Sequence, residues 1–261
     1  MSNPCKDAEE DLIELLVSVE QLFIHLRDGA RTSYHRGMQS KEHPSWSTAE
    51  YWQGRFEKSD TPWQLNVAST VLMEAIGELE SRGFSLEEKR VLSPGCGRGL
   101  DALEVASKGA RVLAVDWSAT AVADLKSRYE ALRSSCRGVV EVVAGDFFAM
   151  EPQPVDLVLE HTFFCALDPS MRTVYAEKVA QWTKPGGFLV GNFFILGEEL
   201  AQALPGLSLT HSGEGPPFAS TVKELHGLLL SNFEEVIVRP AKNPDPDRRP
   251  GMEWVGIFRR R

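Results

Sequence analysis

Cysteine is scarce in this sequence, with four in 261 residues, at Cys5, Cys96, Cys136 and Cys165. Spacing that wide excludes a zinc knuckle, a redox CxxC pair and a disulfide framework, and the thiols read as reduced and structural. A basic surplus is missing too. With 28 Lys and Arg against 37 Asp and Glu the net charge is −9, which argues against nucleic acid or another phosphate-lined partner. The tip Arg259, Arg260, Arg261 is too short to reverse that. Long apolar runs are also absent: the best, Leu12 to Leu26, is broken by Glu14, Glu20 and His25 and is ill suited to a bilayer. Acidic Asp7, Glu9, Glu10 and Asp11 come before it, the wrong order for a secretory signal. The expectation is a cytoplasmic protein with neither nucleic-acid nor membrane partner, acting as a monomer or homodimer.

What is present is alternation. A length of 261 residues suits one large α/β domain. Leu12, Leu15, Leu16, Val19, Leu22, Phe23 and Leu26 recur at helical spacing up to Gly29, predicting an amphipathic leader helix. Residues 1–46 therefore form a helical extension and loop, and 47–261 the main domain. Ser47 with Glu50 reads as a capping box that opens a helix through Tyr51, Trp52 and Phe56. A further helix is expected from Gln64 to Glu80. Then follow the strand Val91-Leu92, helix Leu100–Lys108, strand Val112–Val115, helix Ala119–Leu132, strand Val139–Val143, strand Val155–Leu159, helix Asp168–Trp182 and strand Phe188–Phe194. Such alternation implies a mostly parallel sheet covered by helices on both faces, with its ligand site at the carboxyl ends of the strands.

At the first of those ends stands Pro94-Gly95-Cys96-Gly97-Arg98-Gly99-Leu100-Asp101. A dinucleotide fingerprint would place its third glycine at Leu100, and an acid at Asp101 would repel a pyrophosphate seated on the helix start. It could accept a hydrogen bond from an ammonium group instead, as S-adenosylmethionine carries at its phosphate-free methionine end. Asp116 ends the second strand, where a carboxylate can take both ribose hydroxyls. Gly145-Asp146-Phe147 ends the third, offering a polar group to the adenine amine and a ring to cover the base. Each acid taken alone could be a cap or turn residue. Three at three successive strand ends are a stronger signal.

Four motifs carry a family likeness: Trp52 through Thr61-Pro62-Trp63; Pro94-Gly95-Cys96-Gly97 with Asp101; Glu160-His161-Thr162-Phe163-Phe164-Cys165-Ala166-Leu167-Asp168-Pro169 with Arg172; and Gly215-Pro216-Pro217-Phe218. From about Trp52 onward the chain resembles the thiopurine S-methyltransferase superfamily, in particular its bacterial members and the plant halide and thiol methyltransferases. The resemblance implies a Rossmann-like class I methyltransferase with a seven-stranded sheet and S-adenosylmethionine as cofactor. Trp52, Phe56 and Trp63 would then wall the cofactor, with Gly95, Gly97, Asp116, Asp146, Phe147 and His161 lining the rest. A sulfonium cation is attracted to aromatic faces, in keeping with such a wall. Phe56 stands where plant relatives tend to carry Trp, and His161 and Phe218 where they tend to carry Tyr, which weighs against a halide or thiocyanate acceptor. The loop Gly197–Gly213 has no secure match and is expected to shape the acceptor pocket.

Methyl transfer from a sulfonium is an in-line displacement that needs alignment and exclusion of water rather than a metal. Glu160 and His161, just past the fourth strand, are the candidate acid/base pair: His161 lines the cofactor pocket, and Glu160 orients the acceptor or its loop. Arg172 could attract an anionic acceptor, or be a surface or capping partner of Asp168. Cys165 reads as buried packing, and Phe163 and Phe164 as either pocket or core. The expected activity is methyl transfer to a small-molecule thiol, sulfide or related soft nucleophile. An O- or N-methyltransferase, a non-catalytic cofactor-binding regulator and a nicotinamide dehydrogenase remain as alternatives.

Overall fold

The computed structural model describes residues 45–195, 216–245 and 252–261, all within the unit His43–Arg261. The expected leader helix, the loop Gly197–Gly213, Gly215 and Cys5 lie outside the described residues. Seven strands, β1 (Arg90–Pro94), β2 (Arg111–Asp116), β3 (Val139–Ala144), β4 (Val155–His161), β5 (Thr183–Phe194), β6 (Phe233–Pro240) and β7 (Glu253–Arg260), form one sheet in the order β3-β2-β1-β4-β5-β7-β6. β1 to β5 pair in parallel, and β7 runs antiparallel between β5 and β6. The expected mostly parallel, seven-stranded Rossmann-like sheet is therefore present.

Helices α1 (Ala49–Glu57), α2 (Thr70–Ser81), α3 (Leu100–Ser107), α4 (Ala119–Leu132), α5 (Arg172–Trp182) and α6 (Val222–Leu229) complete the regular α-helical structure of the described residues. Side chains along a strand point alternately to the two faces, so each central strand feeds two cores. On one face Val91, Val112, Ala114, Leu157 and Leu159 meet Val71, Leu72, Ala75, Ile76 and Leu79 of α2, the apolar side of α3, and Leu125 of α4. On the other, Leu92, Val115, Val158 and Leu189 meet Tyr175, Val179 and Trp182 of α5 and Leu225 and Leu229 of α6. Burying each Val, Leu or Ile side chain among them stabilises the fold by about 2 kcal/mol.

Boundaries differ from the sequence reading in ways that concern the site. α1 is capped by Thr48, whose hydroxyl accepts from the Tyr51 amide, rather than by Ser47, which lies in a 3-10 turn. α2 starts at Thr70, not Gln64, because Ser69 caps it through the Leu72 amide. A 3-10 turn over Pro169–Met171 delays α5 to Arg172, and β5 extends back through Lys184-Pro185-Gly186-Gly187 to Thr183. β6 and β7 are new to the structure. Gly256 interrupts the apolar pattern of β7, and the packing requires it: a Cβ there would fall 2.6 Å from the Phe193 ring.

Candidate active site

A cavity of about 540 Å³ opens at the carboxyl ends of β1 to β4. The turn after β1 forms its floor. The Cys96 amide donates to the Val115 carbonyl at 3.0 Å, and the Gly97 amide to Asp116 Oδ2 at 2.8 Å. Only glycine suits position 95, where φ is +57° and a Cβ would lie 2.3 Å from the Phe163 ring. The other oxygen of Asp116 accepts from the Ser118 amide at 2.8 Å. Burial pushes the Asp116 carboxyl above the ordinary aspartate range, although both amides pull it down. Asp146 Oδ1 accepts from the Phe148 amide, which turns the chain after β3. Burial also raises the Cys96 thiol well above its usual value, with the Asp116 charge adding to the effect, so a thiolate is disfavoured.

The deep wall is a hydrogen-bonded cluster. Asp101 Oδ1 accepts from the Ser69 amide at 2.7 Å, and Oδ2 lies 2.7 Å from His161 Nδ1. His161 Nε2 is 4.0 Å from Asp245 Oδ2. Asp245, 3% exposed, accepts from Ser69 Oγ at 2.6 Å, from the Thr70 amide at 2.5 Å and from Asn192 Nδ2 at 3.3 Å. Its own amide donates to Glu253. Burial alone would raise the Asp101 carboxyl, but the charge and hydrogen bond of His161 and the Ser69 amide hold it below the usual range.

A roof comes from the segment before α2. Trp52 donates through Nε1 to the Trp46 carbonyl at 2.8 Å. Its ring meets Trp63 edge-on at 5.4 Å, and Phe56 meets Trp63 at 6.1 Å. Gln53 pins α1 to the start of α4: its Oε1 accepts from Ser118 Oγ at 2.9 Å, and its Nε2 donates to Thr120 Oγ1 at 2.8 Å.

Of the residues expected at a site, Trp52, Phe56, Trp63, Gly95, Gly97, Asp101, Asp116, Asp146, Phe147 and His161 all line this cavity. Phe147 does so from the core, with its ring stacked on Trp182 at 6.3 Å; Phe148 is the neighbour that shares the wall. Two expectations need correction. Glu160 and His161 do not form an acid/base pair, because consecutive strand residues point to opposite faces. Glu160 is 1% exposed and accepts from the Phe163 and Phe164 amides at 3.0 and 2.8 Å and from the Tyr175 hydroxyl at 2.5 Å. It holds the chain after Thr162, whose φ of +60° is a strained conformation for a β-branched residue. Arg172 is neither an acceptor-facing cation nor a surface residue. It is 1% exposed, lies over the Phe164 ring at 4.7 Å, and donates to Glu224 Oε1 and the Phe218 and Ala219 carbonyls. Neither Glu160 nor Arg172 lines the cavity.

Several lining residues escaped the sequence reading. Trp46 sits at the end of what reads as a loop, and its ring lies 6.0 Å from Phe218. Gln64, Trp117 and Phe148 also line the cavity. Asp245 supports the wall from a Pro-rich stretch near the carboxyl end, where no local pattern marks it. Cys165 is buried, as expected.

A family model described as thiopurine S-methyltransferase (TPMT) matches residues 47–254. The chain is 31% identical over 232 residues to "Probable thiol methyltransferase 2" of Arabidopsis thaliana, covering 88% of this chain and 91% of that protein. It is 28% identical over 211 residues to "Thiocyanate methyltransferase 1" of the same plant, covering 80% and 84%. Among solved structures, the Burkholderia thailandensis 1,6-didemethyltoxoflavin-N1-methyltransferase, crystallised with S-adenosylhomocysteine, superposes with a TM-score of 0.61 at 17% identity over 87% of this chain and 93% of that one. That likeness is one of fold.

Proposed function

Because the chain belongs to the thiopurine S-methyltransferase family, we propose that it transfers a methyl group from S-adenosylmethionine to a small-molecule thiol, sulfide or related soft nucleophile. One observation carries this reading: a single cavity joins carboxylates at three strand ends, Asp101, Asp116 and Asp146, to a roof of Trp52, Phe56 and Trp63. That donor set suits a phosphate-free, positively charged nucleoside. Asp116, already oriented by two amides, would take the ribose hydroxyls; Asp146 and Phe148 would meet the base; Asp101 and the turn at Gly95 and Gly97 would meet the methionine end. The roof aromatics would face the sulfonium and keep water out. When bound, the cofactor supplies an electrophilic methyl group.

The chain's own part is to align and dry the site. Glu160 anchors the Phe163-Phe164 turn against Gly95, so the wall beside the glycine turn is rigid. His161, with Nδ1 2.7 Å from Asp101 Oδ2 and Nε2 4.0 Å from Asp245 Oδ2, braces the deep wall. Arg172 positions Phe218 and Ala219. No described helix is long and apolar enough to cross a membrane; a cytoplasmic enzyme, monomeric or dimeric and without a nucleic-acid partner, accords with the charge and composition.

Calorimetry with S-adenosylmethionine, followed by release of the demethylated cofactor over thiols, phenols and amines, tests the reading. Binding with turnover on thiols is expected. No binding at millimolar cofactor with Asp116 intact would overturn it, and binding without turnover on any acceptor would favour a regulator.

A further inference from the structure

We infer that Asp245 and Ser69 are positioning residues for the amino-acid end of S-adenosylmethionine and act through Asp101, an inference that rests on the methyltransferase reading above. Asp101 stands in the first turn of α3 and lines the cavity, but its carboxylate is aimed from other elements. Oδ1 accepts from the Ser69 amide at 2.7 Å, and Oδ2 lies against His161. Ser69, fully buried at the cap of α2, is set in turn by Asp245. Its hydroxyl donates to Asp245 Oδ2 at 2.6 Å and accepts from the Leu72 amide at 3.2 Å. Asp245 Oδ1 takes the Thr70 amide at 2.5 Å and the Thr70 hydroxyl at 2.8 Å. One carboxylate thus fixes the Ser69 side chain and the peptide after it, which leaves the amide before it directed at Asp101.

The sheet places Asp245 itself. Its amide donates to Glu253 Oε2 on β7 at 2.8 Å, and Asn192 on β5 bridges the two carboxylates, donating to Asp245 at 3.3 Å and to Glu253 at 2.9 Å. The strand ends therefore set the direction of Asp101 through two buried links, Asp245 and Ser69. An ammonium that arrives meets a carboxylate already oriented, with less side-chain freedom to lose on binding. The links act on charge as well. Burial opposes ionisation of Asp101, and the Ser69 amide joins the charge and hydrogen bond of His161 in holding its carboxyl below the usual range. The nucleoside end draws on different supports: Asp116 is oriented by the Gly97 and Ser118 amides, and Asp146 by the Phe148 amide. Loosening Asp245 should therefore be felt by the ammonium and not by the nucleoside.

Two ligands separate these ends: S-adenosylhomocysteine, which carries the ammonium, and 5′-methylthioadenosine, a thioether nucleoside without the amino-acid group. Calorimetry is expected to show Asp245→Asn and Ser69→Ala each weakening S-adenosylhomocysteine about tenfold, with 5′-methylthioadenosine within about twofold of wild type. In an Asp101→Asn background the same changes should add little, because the group they orient has lost its charge. Thermal melts check that each variant is folded; Ser69→Ala, which keeps the amide, carries the comparison should Asp245→Asn not fold. Equal losses for both ligands, unaltered affinity, or losses that add in full to that of Asp101→Asn overturn the proposal and leave methyl transfer standing. Wild-type protein that binds neither S-adenosylmethionine nor S-adenosylhomocysteine overturns both.

Discussion

Asp101 and Glu160 are both carboxylates beside the cavity, yet their surroundings move them in opposite directions. Burial pushes the Glu160 carboxyl up, and two amides and the Tyr175 hydroxyl only partly offset it. Asp101 has an imidazole against it, and against burial the charge and hydrogen bond of His161 together with the Ser69 amide prevail. A carboxyl held below its unfolded value contributes stability that is present above the unfolded pKa and lost as pH falls through the folded one. Asp101→Asn should therefore lower Tm at neutral pH, by the equivalent of about 1–3 kcal/mol, and the gap to wild type should close in acid. Thermal melts across a pH series check this; a gap that does not change with pH would show that the Asp101 charge contributes nothing. Neighbours of this kind are invisible in sequence, where Asp101 and His161 are 60 positions apart.

At the scale of elements, α1 depends on few contacts. Its buried anchor is Phe56, and Gln53 supplies the side-chain bonds that tie it to Ser118 and Thr120 at the start of α4. Removing those bonds should loosen the roof while leaving the sheet intact, because local opening draws on local contacts. Gln53→Ala is expected to weaken S-adenosylmethionine binding by about tenfold, a loss of roughly 1.4 kcal/mol, with Tm almost unchanged. Calorimetry measures the first effect, and faster amide exchange confined to residues 49–57 would locate it. Unaltered affinity would mean that the roof is held by its aromatic contacts instead. The sequence reading found this helix through a capping box of Ser47 with Glu50 but put the cap one residue early, since Ser47 and Thr48 are equally good caps until the 3-10 turn is seen.

For the molecule as a whole, the net charge of −9 and the carboxylate-lined cavity have the same sign, opposite to that of the proposed cofactor. Association should be electrostatically assisted, with an on-rate that falls about threefold from low to high salt. Stopped-flow fluorescence from Trp46, Trp52 and Trp63 would follow it, and a rate that rises with salt would contradict the sign of the field.

Much of this architecture is decided locally. The period-two and helical patterns, the glycines after the first strand and the acids at three strand ends are short-range features, and they sufficed for the parallel sheet and for the glycines and acids of the cavity wall, whereas the aromatic roof and His161 were expected only from the family resemblance. Tertiary structure alone decided the direction of each side chain and the company it keeps. Glu160 and His161 part to opposite faces, Arg172 turns inward to Glu224, and Asp245 crosses more than half the chain to reach Ser69. Those outcomes depend on which surfaces the sheet brings together, and burial and charge act only between groups that the fold has already made neighbours.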